Sequence, residues 1–297
     1  MYLFIHIART AGTTFSNILR KNFKEKYLRL YESKKFDFFN EEEIKSLATF
    51  FPFAQCVSSH DFSCPLPQPD KETKVVFEPI VFLRDPVERS LSDYFFQRGR
   101  SKLGIKKAFA DLPYEEYFEK LKEVGYKLSG GKWSPHINIQ TYILDRNYDV
   151  EAAKRRMREE FFFVGTVERF DESLLILKKK FAERGINFKI GYFKHNASEK
   201  RKLAKEILSP EIYQKVSEAN KKDKELWSYA NYLLDQEIEK YGKGFNDDLK
   251  KFKRKIKILG LFAGPMIFLE RFVRKAREIF DKWFVYPLGI YPSRGID

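Results

Sequence analysis

Three short segments carry residue types that can grip and move an anionic group. The first is FIHIARTAGTTF, residues 4–15. An apolar, β-branched stretch gives way to small residues, and a helical pattern begins at once. A strand that runs into a glycine-containing turn and a helix N-terminus offers backbone N–H groups and positive potential to an anion. Arg9 adds a fixed cation, Thr13 and Thr14 add hydroxyl donors, and Thr10, Ala11 and Gly12 supply the turn backbone. The spacing G-x-x-x-x-G-K-[ST] of a Walker loop is absent. An ordinary strand-to-helix turn capped by threonine fits this segment too.

The second segment is VFLRDPVERSLSDYFF, residues 81–96. Arg84 leaves the end of an apolar strand, and Asp85-Pro86 opens a helix. Ser92 follows two turns on. Arg84 can meet a phosphate bidentately with Ser92 as a second donor. Arg89 can do the same, or pair with Glu88 or Asp93. A capped helix with surface ion pairs is the alternative.

The third is CVSSHDFS, residues 56–63. His60 ends a predicted strand. A neutral imidazole with a pKa near 6.5 is suited to take a proton from a hydroxyl at pH 7. His60 as a strand-end surface residue remains open, and Asp61 either orients it or caps a turn. Of the other histidines, His6 lies mid-strand and reads as structural. His136, in WSPHINIQ, begins a helix suited to line an acceptor cleft, with Gln140 one turn further on. His195 sits in a polar, basic stretch. His136 and His195 are too far apart, and too short of Cys or carboxylate companions, to suggest a metal site.

The elements that must position these residues follow from periodicity. Strands are expected at Tyr2 to Ile7, Phe53 to Ser59, Lys74 to Leu83, Glu160 to Val164 and near Phe188 to Phe193. Helices are expected over 13–23, 86–97, much of 105–160, 171–183 and 199–241. Strand, tight turn and helix in alternation make a parallel sheet flanked by helices. Such sheets bind ligands beyond the carboxyl ends of their strands. The turn at 8–14, the strand end at His60 and the strand end at Arg84 then share one edge.

Composition narrows the classes further. The chain has 297 residues, 43% hydrophobic and 33% charged, which excludes a disordered chain and is enough for one large domain or one domain plus an appendage. Two cysteines, Cys56 and Cys64, exclude a disulfide scaffold and suit a reducing compartment. The N-terminus enters a strand pattern directly, without the regions of a signal peptide. The formal net charge is +14, and from Lys243 onward 13 basic against 6 acidic residues give +7, half of the excess in 55 residues. An anionic partner or simple solubility accounts for such a surplus.

Composition changes at Gly242-Lys243-Gly244, so the expected organisation is an α/β domain over 1–242 and a basic amphipathic helical tail over 243–297. The longest uncharged apolar run of the tail, Ile258 to Leu269, has 12 residues against the roughly 20 that a spanning helix needs. KKFKRKIK, residues 250–257, precedes it. From Phe268 to Phe284 the apolar positions fall on one helical face, with arginines and lysines elsewhere. An interfacial membrane helix and a helix packed on the domain or on a second subunit both fit.

Together the first two segments resemble the sulfotransferases that use 3′-phosphoadenosine 5′-phosphosulfate, specifically the glycan O-sulfotransferase group that includes heparan sulfate 2-O-sulfotransferase. The first loop of that family reads approximately P-K-T-[AG]-[GS]-T-[ST] and grips the 5′-phosphosulfate. Its second motif reads approximately R-D-P-x-x-R-x-x-S and grips the 3′-phosphate. Here they read A-R-T-A-G-T-T, Ala8 to Thr14, and R-D-P-V-E-R-S-L-S, Arg84 to Ser92. Residues 161–177 and 137–144 also look like family segments. The resemblance spans roughly 1–240 and leaves out the tail. One departure matters: the loop lysine of the family is Arg9 here. Arginine stabilises negative charge but does not readily give up a proton.

The resemblance implies a P-loop-NTPase-like α/β fold and transfer of a sulfuryl group to a hydroxyl of a glycan or glycoconjugate. Arg9 and His60 would be catalytic, His60 as general base. Arg9, Thr10, Ala11, Gly12, Thr13 and Thr14 would hold the 5′-phosphosulfate, and Arg84 and Ser92 the 3′-phosphate. A late basic loop with Asn196, Ser198, Lys200 and Arg201 would close over the donor, unless Ser198 merely caps a helix. His136 and Gln140 would bind the acceptor. The product is adenosine 3′,5′-bisphosphate, with no metal and no nucleic acid involved. An anionic membrane surface at residues 250–284 is a further candidate partner, and a homo-oligomer is compatible with the sequence. Relatives act in the Golgi behind an anchor; the expectation here is a cytoplasmic enzyme, peripheral on the inner membrane face. The competing classes are a small-molecule kinase on a P-loop-type fold, which would need the missing Walker lysine, and a basic protein that binds membranes or nucleic acid.

Overall fold

The computed structural model describes residues 1–30, 38–68, 74–101, 111–124, 126–127, 133–134, 137–193 and 203–261, with positions 272 and 276 beyond them. In chain order the elements begin β1 (Tyr2–Ile5), α1 (Gly12–Phe23), a 3-10 turn (Lys24–Lys26), β2 (Tyr27–Arg29), α2 (Glu41–Phe50), β3 (Cys56–Ser59), β4 (Glu78–Leu83) and α3 (Pro86–Ser101). There follow α4 (Tyr114–Val124), β5 (Tyr126–Lys127), β6 (Trp133–Ser134), α5 (Ile139–Leu144), α6 (Val150–Glu159), β7 (Phe163–Thr166) and α7 (Phe170–Glu183). The last are α8 (Ala204–Ile207), α9 (Pro210–Ala219), α10 (Lys221–Tyr241) and α11 (Phe245–Leu261).

Five strands form one parallel sheet in the order β2-β3-β1-β4-β7, and β5 and β6 form a separate antiparallel pair. This is the α/β, P-loop-like architecture that the alternation of elements predicts. The strands of the sheet read YLFI, EPIVFL and FVGT because helices cover both faces, which leaves no solvent-facing side to make polar. The pleat sorts the side chains. Phe4, Phe15, Phe82 and Phe181 pack on one face, and Leu3, Ile5, Val57 and Val81 on the other. Phe15 from α1 meets Phe4 edge-on at 4.8 Å, which ties the helix after the first turn to the central strand. Burying a side chain of that size contributes about 1.5–3 kcal/mol.

Register sets the edge. Ile5 lies beside both Ser59 and Val81, and Leu83 beside Thr166. The chain therefore leaves β1, β3, β4 and β7 at nearly the same level, and His6, His60, Arg84 and Val167 come next. With β1 in the centre, the turn that follows it stands in the middle of that edge.

Some elements differ from the sequence reading. Strands start later or are shorter than the apolar runs, since pairing needs a neighbour and not only the right residue types. β2 is an added edge strand of three residues that pairs with β3. α2 begins at Asn40 with a reciprocal cap, Asn40 Oδ1 accepting from the Glu43 N–H and Glu43 Oε2 from the Asn40 N–H. Residues 188–193 hold no strand; Phe188, Ile190 and Tyr192 are buried in the core without joining the sheet. Beyond the expected boundary at 242, α11 sets Phe245, Leu249, Phe252 and Ile256 into the same cluster as Phe181 and Phe188. No helix among the described residues is long and apolar enough to cross a membrane.

Candidate active site at the carboxyl edge of the sheet

The turn after β1 is shaped by two left-handed residues, Arg9 with φ 69° and Ala11 with φ 61°. Alternation of this kind turns successive N–H groups into one concavity. The hydroxyl of Thr10 is fully buried and donates to the Ile7 carbonyl at 2.9 Å, so this side chain holds the turn together from inside. Only its backbone is left to face an anion. Ala11 occupies the N-cap position of α1 without a side-chain cap, and the first helical bond runs from the Phe15 N–H to the Ala11 carbonyl. The amides of Gly12, Thr13 and Thr14 precede that bond and are the natural anion donors. Thr13 and Thr14 are half-buried there.

Gly12 answers to a different neighbour. A Cβ on it would stand 1.7 Å from Nε2 of His6. The glycine is required because the imidazole of His6 lies directly under the turn. That ring is buried between Phe4, with centroids 5.2 Å apart, and His60, stacked at 3.8 Å. Burial, then the neighbouring His60 and the charges of Arg29 and Arg9, hold His6 well below its ordinary pKa.

His60 is fixed by the same residue. Its Nδ1 lies 2.6 Å from the main-chain oxygen of His6. A carbonyl only accepts, so Nδ1 carries the hydrogen and Nε2 keeps its lone pair. Burial and then Arg29 bring the His60 pKa down to about 4, while the bond to His6 works against them. The imidazole is thus neutral at pH 7, with the lone pair on Nε2. Ser58 is buried and bonded to the Tyr27 hydroxyl at 2.6 Å. The His6 carbonyl holds the His60 ring, and the N–H of Asp61 donates to the Ser59 hydroxyl.

The segment after β4 reaches across to the turn. Arg9 donates from Nη2 and Nε to Ser92 Oγ at 3.1 and 3.3 Å, and its guanidinium covers the Phe96 ring at 4.4 Å. Arg84 donates from Nη1 to the Arg9 carbonyl at 3.1 Å, with Glu88 and Glu168 at 3.6 and 3.8 Å from its other nitrogens. The helix start is secured by Asp85, which accepts from the N–H groups of Val87 and Glu88 and pairs with Lys224. Arg89 points inward and is almost fully buried; burial raises the carboxyl pKa of Asp93 and Asp223, and the charge of Arg89 works against that rise.

Gln140 corrects an expectation. It is fully buried, so it cannot line an acceptor cleft. Its Nε2 donates to the Arg84 carbonyl at 2.8 Å and its Oε1 accepts from the Arg84 N–H at 2.9 Å. Asp223 in turn accepts from the N–H groups of Gln140 and Thr141 and from the Thr141 hydroxyl. A chain of buried bonds from α10 through α5 therefore fixes the backbone at Arg84.

The edge brings together Arg9, the 10–14 backbone, Thr13, Thr14, His60, Arg84 and Ser92. His136 and the loop residues Asn196, Ser198, Lys200 and Arg201 lie outside the described residues. Sequence reasoning gave His6 only a structural place, and passed over Arg29, Glu168 and Asp223. The pairing of His6 with Gly12 is the one signal that spacing could have offered.

Comparison with known proteins adds a second line. The model of a family described as the sulfotransferase family matches residues 2–230. A protein of Archaeoglobus fulgidus, described only as uncharacterized, is 23% identical over 263 residues, which cover 81% of this chain and 96% of that protein.

Proposed function

The chain belongs to the sulfotransferase family, and from that premise we propose that it moves a sulfuryl group from 3′-phosphoadenosine 5′-phosphosulfate to a hydroxyl of a glycan or glycoconjugate, with His60 as general base. The observation that carries the assignment of the base is the bond from His60 Nδ1 to the His6 carbonyl. It leaves Nε2 unprotonated on the edge where Arg9 and the uncapped amides of α1 gather positive potential.

The residues present suit this donor. The turn offers backbone N–H groups, two half-buried threonine hydroxyls and Arg9 to the 5′-phosphosulfate. Ser92 and Arg84 stand beside the turn for the 3′-phosphate, within hydrogen-bond reach of Arg9. The late basic loop, through Asn196, Ser198, Lys200 and Arg201, would complete the enclosure, and His136 would face the acceptor.

When bound, the donor supplies a sulfur centre whose bond to the 5′-phosphate oxygen breaks as the acceptor oxygen bonds to it, and adenosine 3′,5′-bisphosphate leaves. His60 takes the hydroxyl proton on Nε2; a positioned base of this kind contributes roughly 10²–10⁴-fold. Arg9 and the amides of the turn stabilise charge on the transferred group and on the departing phosphate without giving up a proton. Negative charge brought in by the donor also favours the imidazolium, which raises the basicity of His60 when it is needed.

The test is transfer of radiolabelled sulfate from the donor to a panel of glycans and glycoconjugates, with wild type and His60→Asn. Asparagine keeps a donor for the His6 carbonyl and removes the base. Labelled glycan with wild type and a loss of two to four orders of magnitude in the variant is the expected result. Label on proteins or small phenols only would reject the glycan acceptor, and an undiminished variant would reject the base.

A further inference from the structure

We infer that the outward face of α11 is a docking surface for an anionic phospholipid bilayer. This goes beyond the transfer reaction and does not depend on it.

Helix α11 has one face committed to the protein. Phe245, Leu249, Phe252 and Ile256 recur at helical spacing and are buried in the core beside Phe181 and Phe188. Its partly buried Leu259 packs against the same cluster. A helix held in this way cannot roll to present its apolar side elsewhere, so the opposite face is displayed in a fixed orientation. That face is KKFKRKIK without its two core residues: Lys250, Lys251, Lys253, Arg254, Lys255 and Lys257 are all exposed. Lys250 and Lys251 have Asp247 and Asp248 at 3.7 and 3.5 Å. Among the described residues Lys253, Arg254, Lys255 and Lys257 have no carboxylate within ion-pair distance. Six positive charges over eight residues, with no acid between them, suit a surface of dense negative charge.

Charge alone would serve a nucleic acid as well as a bilayer. The exposed apolar side chains that follow favour the bilayer. Ile258 is 58% exposed, Leu261 79% and Phe272 65%. Large apolar groups next to a basic face are what headgroup insertion uses and what phosphate-backbone binding does not. Ile258 and Leu261 begin the uncharged run Ile258 to Leu269, whose 12 residues are too few to span a bilayer.

The experiment is flotation of the full chain with vesicles of phosphatidylglycerol and phosphatidylcholine in equal parts, with phosphatidylcholine alone, and in the presence of duplex DNA. Three proteins are compared: wild type, the triple variant Lys253→Glu, Arg254→Glu, Lys257→Glu, and Leu261→Asp. All substituted side chains are exposed, and thermal unfolding verifies that each variant is folded. The expected result is co-flotation with the anionic vesicles only, weakened by added salt and lowered roughly a hundredfold or more by the triple reversal. Leu261→Asp should weaken vesicle binding and leave DNA binding unchanged. Failure of wild type to float, equal binding to neutral vesicles, an unaffected triple variant, or capture by DNA in place of vesicles would each overturn the proposal.

Discussion

The main-chain oxygen of His6 accepts the Nδ1 hydrogen of His60 at 2.6 Å, and the two imidazoles stack with centroids 3.8 Å apart. One residue thereby sets the tautomer, the ring plane and the dry surroundings of the other. The same His6 ring fills the space under the anion turn and leaves no room for a side chain on Gly12. The proposed base and the proposed anion turn are thus coupled through a residue that touches both.

Gly12→Ala should therefore damage both functions. The added methyl would overlap the His6 ring, and overpacking of this kind costs about 1–3 kcal/mol. Urea unfolding and transfer activity measure the two effects. His6→Ala in the Gly12→Ala background should recover part of the stability, since the collision is removed. Additive losses in that double-mutant cycle would count against contact between them.

The depressed pKa of His60 fixes the direction of its pH dependence. Its value in the fold is about 4, against about 6.5 unfolded, because burial and Arg29 disfavour the imidazolium. The unfolded chain thus binds more protons between these values. The contribution to stability is complete above pH 6.5 and is lost as pH falls toward 4. His6, lowered by burial and then by the neighbouring His60 and Arg29, adds in the same direction. Arg29→Gln removes a positive charge and should move the acidic limb of kcat/KM for the free enzyme upward. A limb that stays in place would show that Arg29 does not act on His60.

Gln140→Leu should weaken donor binding from a distance. The leucine leaves the Arg84 N–H and carbonyl without their buried partners, at a cost of about 1–3 kcal/mol. Affinity for adenosine 3′,5′-bisphosphate should fall about tenfold or more. Wild-type affinity in a folded Gln140→Leu protein would contradict the role of the clamp.

Much of this site was legible in the sequence because its parts are local. The turn at 8–14, the Asp85-Pro86 helix start and the strand end at His60 each announce themselves by residue type and spacing, and register in a parallel sheet does the rest. Contacts across the chain were not legible. Gln140 lies 56 residues from Arg84, and periodicity records only that it sits on a short helix. Asp223 is further still, one acid among the many charges of α10. β2 was missed because three residues at an edge carry no pattern of their own, and 188–193 looked like a strand because buried coil and buried strand share a composition.

The most direct measurement is calorimetric titration with adenosine 3′,5′-bisphosphate in metal-free buffer, and with ATP plus Mg²⁺, on wild type and Arg84→Ala. Tight binding of the bisphosphate to wild type, with at least a tenfold loss in the variant, is the predicted result. Binding of ATP with Mg²⁺ and none of the bisphosphate would contradict the account and favour a kinase on the same fold.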